Sequence, residues 1–62
     1  MRDINRIYDI IVKIQDLWEQ YPDQRLGQLI ENYLVKDGED LFYIEDEELS
    51  QRLTDRLSWI DW

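Results

Sequence analysis

Apolar residues recur at three- and four-residue steps through the first third of the chain. They are Ile7, Ile10, Ile11, Ile14, Leu17, Trp18 and Tyr21. This period predicts an amphipathic helix from Ile4 to Gln20, with Asp3 as its N-cap. The run IIVKIQDLW lacks the strict alternation that a half-buried strand requires. Asp9 precedes Lys13 by four residues, so the two are expected to form an exposed helical ion pair.

The segment YPDQ interrupts this pattern and predicts a second helix. Proline disfavours helix at Tyr21, and Asp23 is placed to cap a helix that begins at Gln24. The apolar stripe of this helix is formed by Leu26, Leu29, Ile30, Tyr33 and Leu34. The helix is expected to end near VKDG, where Gly38 supplies a turn. Gly27 lies inside it at a cost of about 1 kcal/mol relative to alanine, and we expect this glycine to let the first helix approach closely.

The last third of the chain predicts a short irregular segment and a third helix. The segment DLFY is expected to form a single turn that docks three side chains into the core: Leu41, Phe42 and Ile44. Asp46 is then placed to cap a helix whose buried side is formed by Leu49, Leu53, Leu57 and Ile60. Glu48 and Arg52 form a favourable pair on it. Three helices with short connections predict an all-α fold, a small three-helix bundle that makes a single helical domain over residues 1–62.

The composition shows how so short a chain could be stabilised. A chain of 62 residues buries only about 60% of the surface that it exposes when unfolded. Domains of this size usually need disulfides, a metal ion or a partner subunit. The sequence has no cysteine and no histidine, and we expect no metal and no cofactor. Tight packing or oligomerisation is therefore left as the source of stability, and we expect a homo-oligomer, specifically a dimer.

The charge of the chain is strongly acidic and unevenly distributed. The net charge is −8, of which residues 1–35 carry −2 and residues 36–62 carry −6. Such a charge opposes binding to nucleic acid or anionic lipid and favours basic surfaces. We therefore expect no direct nucleic-acid binding, no membrane binding, and a protein partner with a basic or apolar docking surface. The N-terminal segment MRDINRIYDI has no long apolar run, which predicts a cytoplasmic protein.

Two motifs resemble those of a known family. The segments W..YPD.RLGQLIEN and DLFYIEDEEL are similar to a family of small uncharacterised proteins of bacteria, mainly Gram-positive ones, and of their phages and plasmids. The similarity covers roughly residues 6–49. It implies a cytosolic helical protein with no established activity. If a phage encodes the protein, it would act in the cytoplasm of the host. The chain departs from the family in the turn YLVKDGED and in the tail TDRLSWIDW.

Seven carboxylates lie within twelve residues and form what we call the acidic collar. Its members are Asp37, Glu39, Asp40, Glu45, Asp46, Glu47 and Glu48. One interpretation is that the collar mimics a phosphate array, so that the protein inhibits a host defence or DNA-acting protein by occupying its basic groove. The other is that these residues are a solvated turn and the first turn of a helix. On the first interpretation, five residues steer the partner: Glu39, Asp40, Glu45, Glu47 and Glu48.

The tail LSWIDW supplies candidate apolar anchors for the same partner. Trp59, Ile60 and Trp62 lie close to the C-terminus, and exposed tryptophans are strong interface anchors. The alternative is that one or both tryptophans fold back over the core. Tyr8 and Val12, at the side of the first helical stripe, would extend such an exposed patch.

A second class of function is small-ligand binding. Arg25, Gln28 and Asn32 share one polar helix face, and this face could bind or sequester an anionic nucleotide. The structural alternative is that Arg25 anchors the FYIED segment through one of three carboxylates, namely Asp40, Glu45 or Asp46. We expect no enzyme and no catalytic residues, because the chain lacks the histidine and cysteine on which most nucleophile and base pairings depend.

Overall fold

The computed structural model describes residues 3–58, which form three α-helices. Helix α1 spans Asn5–Gln20, α2 spans Leu26–Tyr33 and α3 spans Asp46–Ser58, with a 3₁₀ turn at Leu41–Tyr43 between α2 and α3. No strand occurs in this range, so the predicted all-α, three-helix fold is confirmed. None of the helices among these residues has the length and apolar character needed to cross a membrane.

The predicted helix starts lie within two residues of those observed, but none of the three predicted N-caps, Asp3, Asp23 and Asp46, is the N-cap residue observed. Asp3 accepts a hydrogen bond from the backbone N–H of Asn5 (2.9 Å), although Ile4 occupies the N-cap of α1. Helix α2 begins two residues later than predicted, because its N-cap is Arg25. The backbone N–H of Arg25 is bound by the Gln28 side-chain oxygen at 3.1 Å. The prediction that Asp23 caps α2 is therefore wrong.

The core consists of four leucines, one on each helix and one directly after α2. Their exposed fractions are 2% or less, and they are Leu17, Leu29, Leu34 and Leu53. Six partly buried side chains pack around them: Ile10, Ile14, Ile30, Tyr33, Leu49 and Leu57. A domain of this length is stable by about 3–9 kcal/mol in total. Truncating a buried leucine to alanine costs about 2–5 kcal/mol, so each core leucine contributes a large share of the total stability.

Helices α1 and α3 pack against each other and run in the same direction. At their N-terminal ends, Arg6 Nε lies 2.7 Å from the Asp46 carboxylate. Further along, Lys13 Nζ donates to Ser50 Oγ at 2.9 Å and pairs with Asp9 at 3.1 Å, which confirms the predicted pair. The basic side chains of α1 therefore lie on the flank that faces α3. The opposite flank of α1 has no such partner in the described part of the chain.

The two glycines differ in their backbone conformation and in their surroundings. Gly38 has a φ of +84°, a conformation that favours glycine, and it supplies the predicted turn. Gly27 is exposed, and a Cβ atom built on it would meet nothing within 4 Å. The prediction that Gly27 admits a close approach of α1 is therefore wrong.

Candidate docking surfaces

The segment Leu41–Tyr43, which we call the aromatic turn, presents two aromatic rings to solvent. Asp40 Oδ1 accepts from the backbone N–H of Phe42 at 3.0 Å, and the carbonyl of Leu41 accepts from the N–H of Ile44 at 3.1 Å. Residues three apart lie on the same side of a 3₁₀ turn. Leu41 and Ile44 are accordingly both half-buried, whereas the two residues between them point outward.

The two outward side chains are Phe42, which is 84% exposed, and Tyr43, which is 77% exposed. Their ring centroids are 5.1 Å apart at an interplanar angle of 80°, an edge-to-face pair. The prediction that Phe42 docks into the core is therefore wrong, because a turn of three residues cannot point Leu41, Phe42 and Ile44 to one side. Leu41 and Ile44 flank the two aromatic residues directly, so no local pattern in the sequence shows that the two rings point outward.

Arg52 on α3 fixes the position of the loop that precedes the aromatic turn. Its guanidinium binds both oxygens of Glu39 (2.7 and 2.8 Å), the Glu48 carboxylate (2.9 Å) and the carbonyl of Leu34 (2.8 Å). The bidentate pair with Glu39 is the strongest geometry available to these two groups. Because Glu39 also accepts from the backbone N–H of Lys36 at 2.7 Å, the loop is held to α3 at one carboxylate.

This arrangement changes the protonation behaviour of Glu39. The hydrogen bonds from Arg52, and then the backbone N–H of Lys36, lower the pKa of Glu39 from 4.5 to about 2. Conversely, the hydrogen bonds to Glu39 and Glu48 raise the pKa of Arg52. In the folded protein, Glu39 therefore stays ionised well below the usual pKa of a glutamate.

The carboxylates of the acidic collar separate into two groups. Three of them pair with arginine side chains of the same chain: Glu39, Glu48 and Asp46. Three others are exposed and have no basic partner among residues 3–58: Asp37, Asp40 and Glu47. Glu45 precedes α3, and its carbonyl accepts from the N–H of Leu49 at 2.9 Å, so this residue rather than Asp46 is the N-cap. Of the five residues predicted to steer a partner, Glu39 and Glu48 are thus part of the internal Arg52 network.

The polar face of α2 does not hold the FYIED segment. Arg25 forms no ion pair within residues 3–58, so its predicted anchoring role is wrong; Arg6 provides the ion pair to Asp46 at the end of that segment instead. The Gln28 side chain binds the backbone of Arg25, and Asn32 donates to the Gln24 side chain at 3.1 Å. The Gln28 oxygen and the Asn32 NH₂ group are therefore engaged within the fold. Among residues 3–58, neither the guanidinium of Arg25 nor the NH₂ group of Gln28 donates a side-chain hydrogen bond.

A second exposed surface runs along α1, and we call it the apolar strip. Its members are Ile4 (73% exposed), Ile7 (51%), Tyr8 (76%), Ile11 (55%) and Trp18 (37%). The stripe that the sequence shows on this helix is thus wider than the core can cover, and only its Ile10, Ile14 and Leu17 side is packed. Tyr8 is largely exposed, whereas Val12 is half-buried. Their predicted continuity with a patch of tail tryptophans stays a prediction, because those tryptophans lie outside the described residues.

One end of the apolar strip is concave and the other end projects. A groove of about 560 Å³ is lined by Ile11, Ile14, Gln15, Trp18, Glu19, Pro22 and Leu26. The indole N–H of Trp18 donates to the carbonyl of Gln24 at 2.7 Å, which fixes the ring as one wall of the groove. At the N-terminal end, Ile4 and Tyr8 are largely exposed. Sequence reasoning identified neither end as a surface.

The remaining predicted anchors, Trp59, Ile60 and Trp62, lie outside the described residues. Within residues 3–58 no three carboxylates converge in a way that could hold a metal ion. No protein-family model matches the chain, and neither a curated protein nor a solved structure matches it. The resemblance to small phage and bacterial proteins stays a prediction.

Proposed function

We propose that this protein is a protein-docking module that binds an arginine-rich segment of a partner through the aromatic turn. The observation that carries the proposal is the exposure of Phe42 and Tyr43, two large aromatic side chains that the fold does not use for its core. Aromatic side chains held outward on a fixed backbone are suited to anchoring an interface, because little conformational freedom is lost on binding.

The chemistry around the two rings selects a cationic partner. A guanidinium stacks on an aromatic face and pairs in a bidentate fashion with a carboxylate, and both kinds of group occur here. Asp40 lies two residues before Phe42 in the chain and is exposed. The fold itself contains one example of the stacking, since the guanidinium of Arg56 lies 5.5 Å from the centre of the Tyr33 ring. Arginine therefore fits this surface better than lysine does.

The charge of the chain adds long-range attraction to this contact. The net charge of −8 is concentrated in residues 36–62, which include the aromatic turn. A field of one sign increases the rate at which oppositely charged partners meet. A protein whose DNA-binding groove carries arginines is one class of partner, and binding there would exclude DNA. This proposal keeps the predicted inhibitory role and assigns its apolar contacts to Phe42 and Tyr43.

The proposal is tested with a synthetic peptide of alternating arginine and glycine, measured by isothermal titration calorimetry. We expect the double variant Phe42→Ala/Tyr43→Ala to bind the peptide about 30-fold more weakly than wild type, the loss typical of an interface hot spot. A peptide in which citrulline replaces every arginine keeps the planar shape without the charge, and we expect it not to bind.

The matched control is Tyr8→Ala, which removes an equally exposed aromatic side chain from the other surface. It should leave peptide affinity unchanged. Equal binding of the arginine peptide by wild type and by the double variant would refute the proposal. So would equal binding of the citrulline peptide, because the contact would then not depend on charge.

A further inference from the structure

The apolar strip of α1 is a second surface, separate in the fold from the aromatic turn. We propose that a second copy of this chain covers it, with the two α1 helices packed antiparallel about a two-fold axis at Ile11. This inference does not depend on the proposed function. It is carried by three features of the strip: its shape, its charge and its place in a chain with a very small core.

The shape of the strip is self-complementary. Ile4 and Trp18 lie seven residues to either side of Ile11, about 10 Å each along the helix axis. In an antiparallel pair, the projecting end at Ile4 and Tyr8 of each copy therefore meets the groove beside Trp18 of the other. A two-fold interface requires this reciprocity, in which one residue contacts another and receives the same contact in return. A parallel pair would instead place the two projecting ends against each other and leave both grooves empty.

The charge of the strip permits two acidic molecules to meet there. Residues 4–18 contain two basic and two acidic side chains, so this stretch is neutral in a chain of net charge −8, and Glu19 is the one carboxylate that lines the groove. Its two basic residues, Arg6 and Lys13, lie on the flank that pairs with α3. The seven carboxylates of the acidic collar belong to residues 37–48, outside the strip. Of the surfaces described, the strip is the one at which the pairing of two copies brings the fewest charges of the same sign close together.

The small core gives the reason for a second copy rather than an unrelated occupant. Only four side chains of residues 3–58 are fully buried, and the sequence has no cysteine with which to form a disulfide. Domains of this size commonly obtain the missing burial by self-association. Each fully buried isoleucine contributes about 1.5–3 kcal/mol, and the strip holds three that are at least half exposed.

Mass in solution is the first test. Light scattering over a micromolar to millimolar concentration series should give twice the 7.7 kDa of one chain at the upper end. We expect Ile11→Glu to weaken the dimer about 100-fold or more, since it opposes two carboxylates at the axis. Because Ile11 is already 55% exposed, the helical circular dichroism should not change. The matched control Tyr43→Glu adds the same charge outside the strip and should remain dimeric.

Crosslinking tests the relative orientation of the two α1 helices. Because the sequence has no native cysteine, an introduced cysteine is the only thiol that can react. Ile11→Cys should form a covalent dimer with a short thiol crosslinker, because the two copies of this position meet at the axis. Ile4→Cys should not, because its two copies lie at opposite ends of the interface. Equal crosslinking of both variants would show a parallel pair and overturn the proposal. A mass of 7.7 kDa at every concentration, or dissociation by Tyr43→Glu instead of Ile11→Glu, would overturn it as well.

Discussion

The apolar strip and the aromatic turn expose the same kinds of side chain in opposite electrostatic settings. Residues 4–18 are neutral, whereas residues 37–48 carry seven acidic and no basic side chains. The strip therefore tolerates a second acidic molecule, and the turn repels one. Exposure of apolar side chains shows that a surface is available for docking, but the charge around them determines which partner it accepts.

The two surfaces are also held in different ways. The strip belongs to a 16-residue helix, and its backbone is fixed by that helix. The aromatic turn has only three residues and depends on the Arg52 network to hold the preceding loop to α3. A change in that network should therefore affect the turn and leave the strip unaltered.

Among the proposed experiments, a change in ionic strength should show the largest difference between binding at the aromatic turn and self-association at the apolar strip. Raising ionic strength from about 0.05 to about 0.5 M shortens the Debye length and should weaken binding of the arginine peptide by roughly tenfold. The same change should leave self-association unaltered or strengthen it, since it screens the repulsion between two chains of charge −8. Calorimetry measures the first effect and sedimentation equilibrium the second. A peptide affinity independent of salt would show that the acidic collar does not steer the partner.

Two glutamates of the collar should behave differently when neutralised. Glu39→Gln breaks the bidentate pair with Arg52, so we expect a lower melting temperature at neutral pH. Glu47→Gln removes a carboxylate without a basic partner among residues 3–58, so it should leave the melting temperature unchanged. It should weaken binding of the arginine peptide about two- to fivefold.

The pH dependence of stability provides a further check on Glu39. Its pKa is lowered from 4.5 to about 2 in the folded protein, mainly by Arg52, so the folded state favours the ionised form. The stabilisation is complete above pH 4.5 and is lost as the pH falls towards 2. Thermal melts of Glu39→Gln should show a shallower loss of stability across this interval than wild type does. Parallel curves for the two proteins would place Glu39 outside the network.

Gly27→Ala should have the smallest effect and should alter neither surface. A Cβ atom at this position meets nothing within 4 Å, and alanine restricts the unfolded chain. We expect the protein to gain about 0.4–1 kcal/mol, or about 2–8 °C in melting temperature. Differential scanning calorimetry measures this gain. A loss of stability would restore the rejected idea that Gly27 admits a close approach of α1.

The periodic parts of the chain were predictable, and the parts that depend on tertiary contacts were not. The three-residue and four-residue steps along α1 predicted the helix, and the spacing of Glu48 and Arg52 predicted their pair. The pair of Arg52 with Glu39 spans thirteen residues and requires the loop to fold back, which no local pattern encodes. The start of α2 was misplaced because Gln28 binds the backbone of Arg25, an alternative to capping by Asp23.

The two surfaces were hidden from sequence reasoning for related reasons. The stripe on α1 contained more apolar positions than one small core can use, but period alone does not say which of them face solvent. A run of two aromatics between Leu41 and Ile44 fits a helix, a strand or a 3₁₀ turn equally well, and the pattern does not say which side Phe42 faces. Burial was therefore predicted where the fold provides exposure.

The most direct test of the central claim is chemical-shift mapping of the arginine–glycine peptide on ¹⁵N-labelled protein. We expect saturable chemical-shift changes for the amides of residues 40–47, with the largest changes at Phe42 and Tyr43. The amides of residues 4–18 should not change. Shifts centred on the apolar strip, or no saturable shifts anywhere, would contradict the assignment of the aromatic turn as the surface that binds the partner.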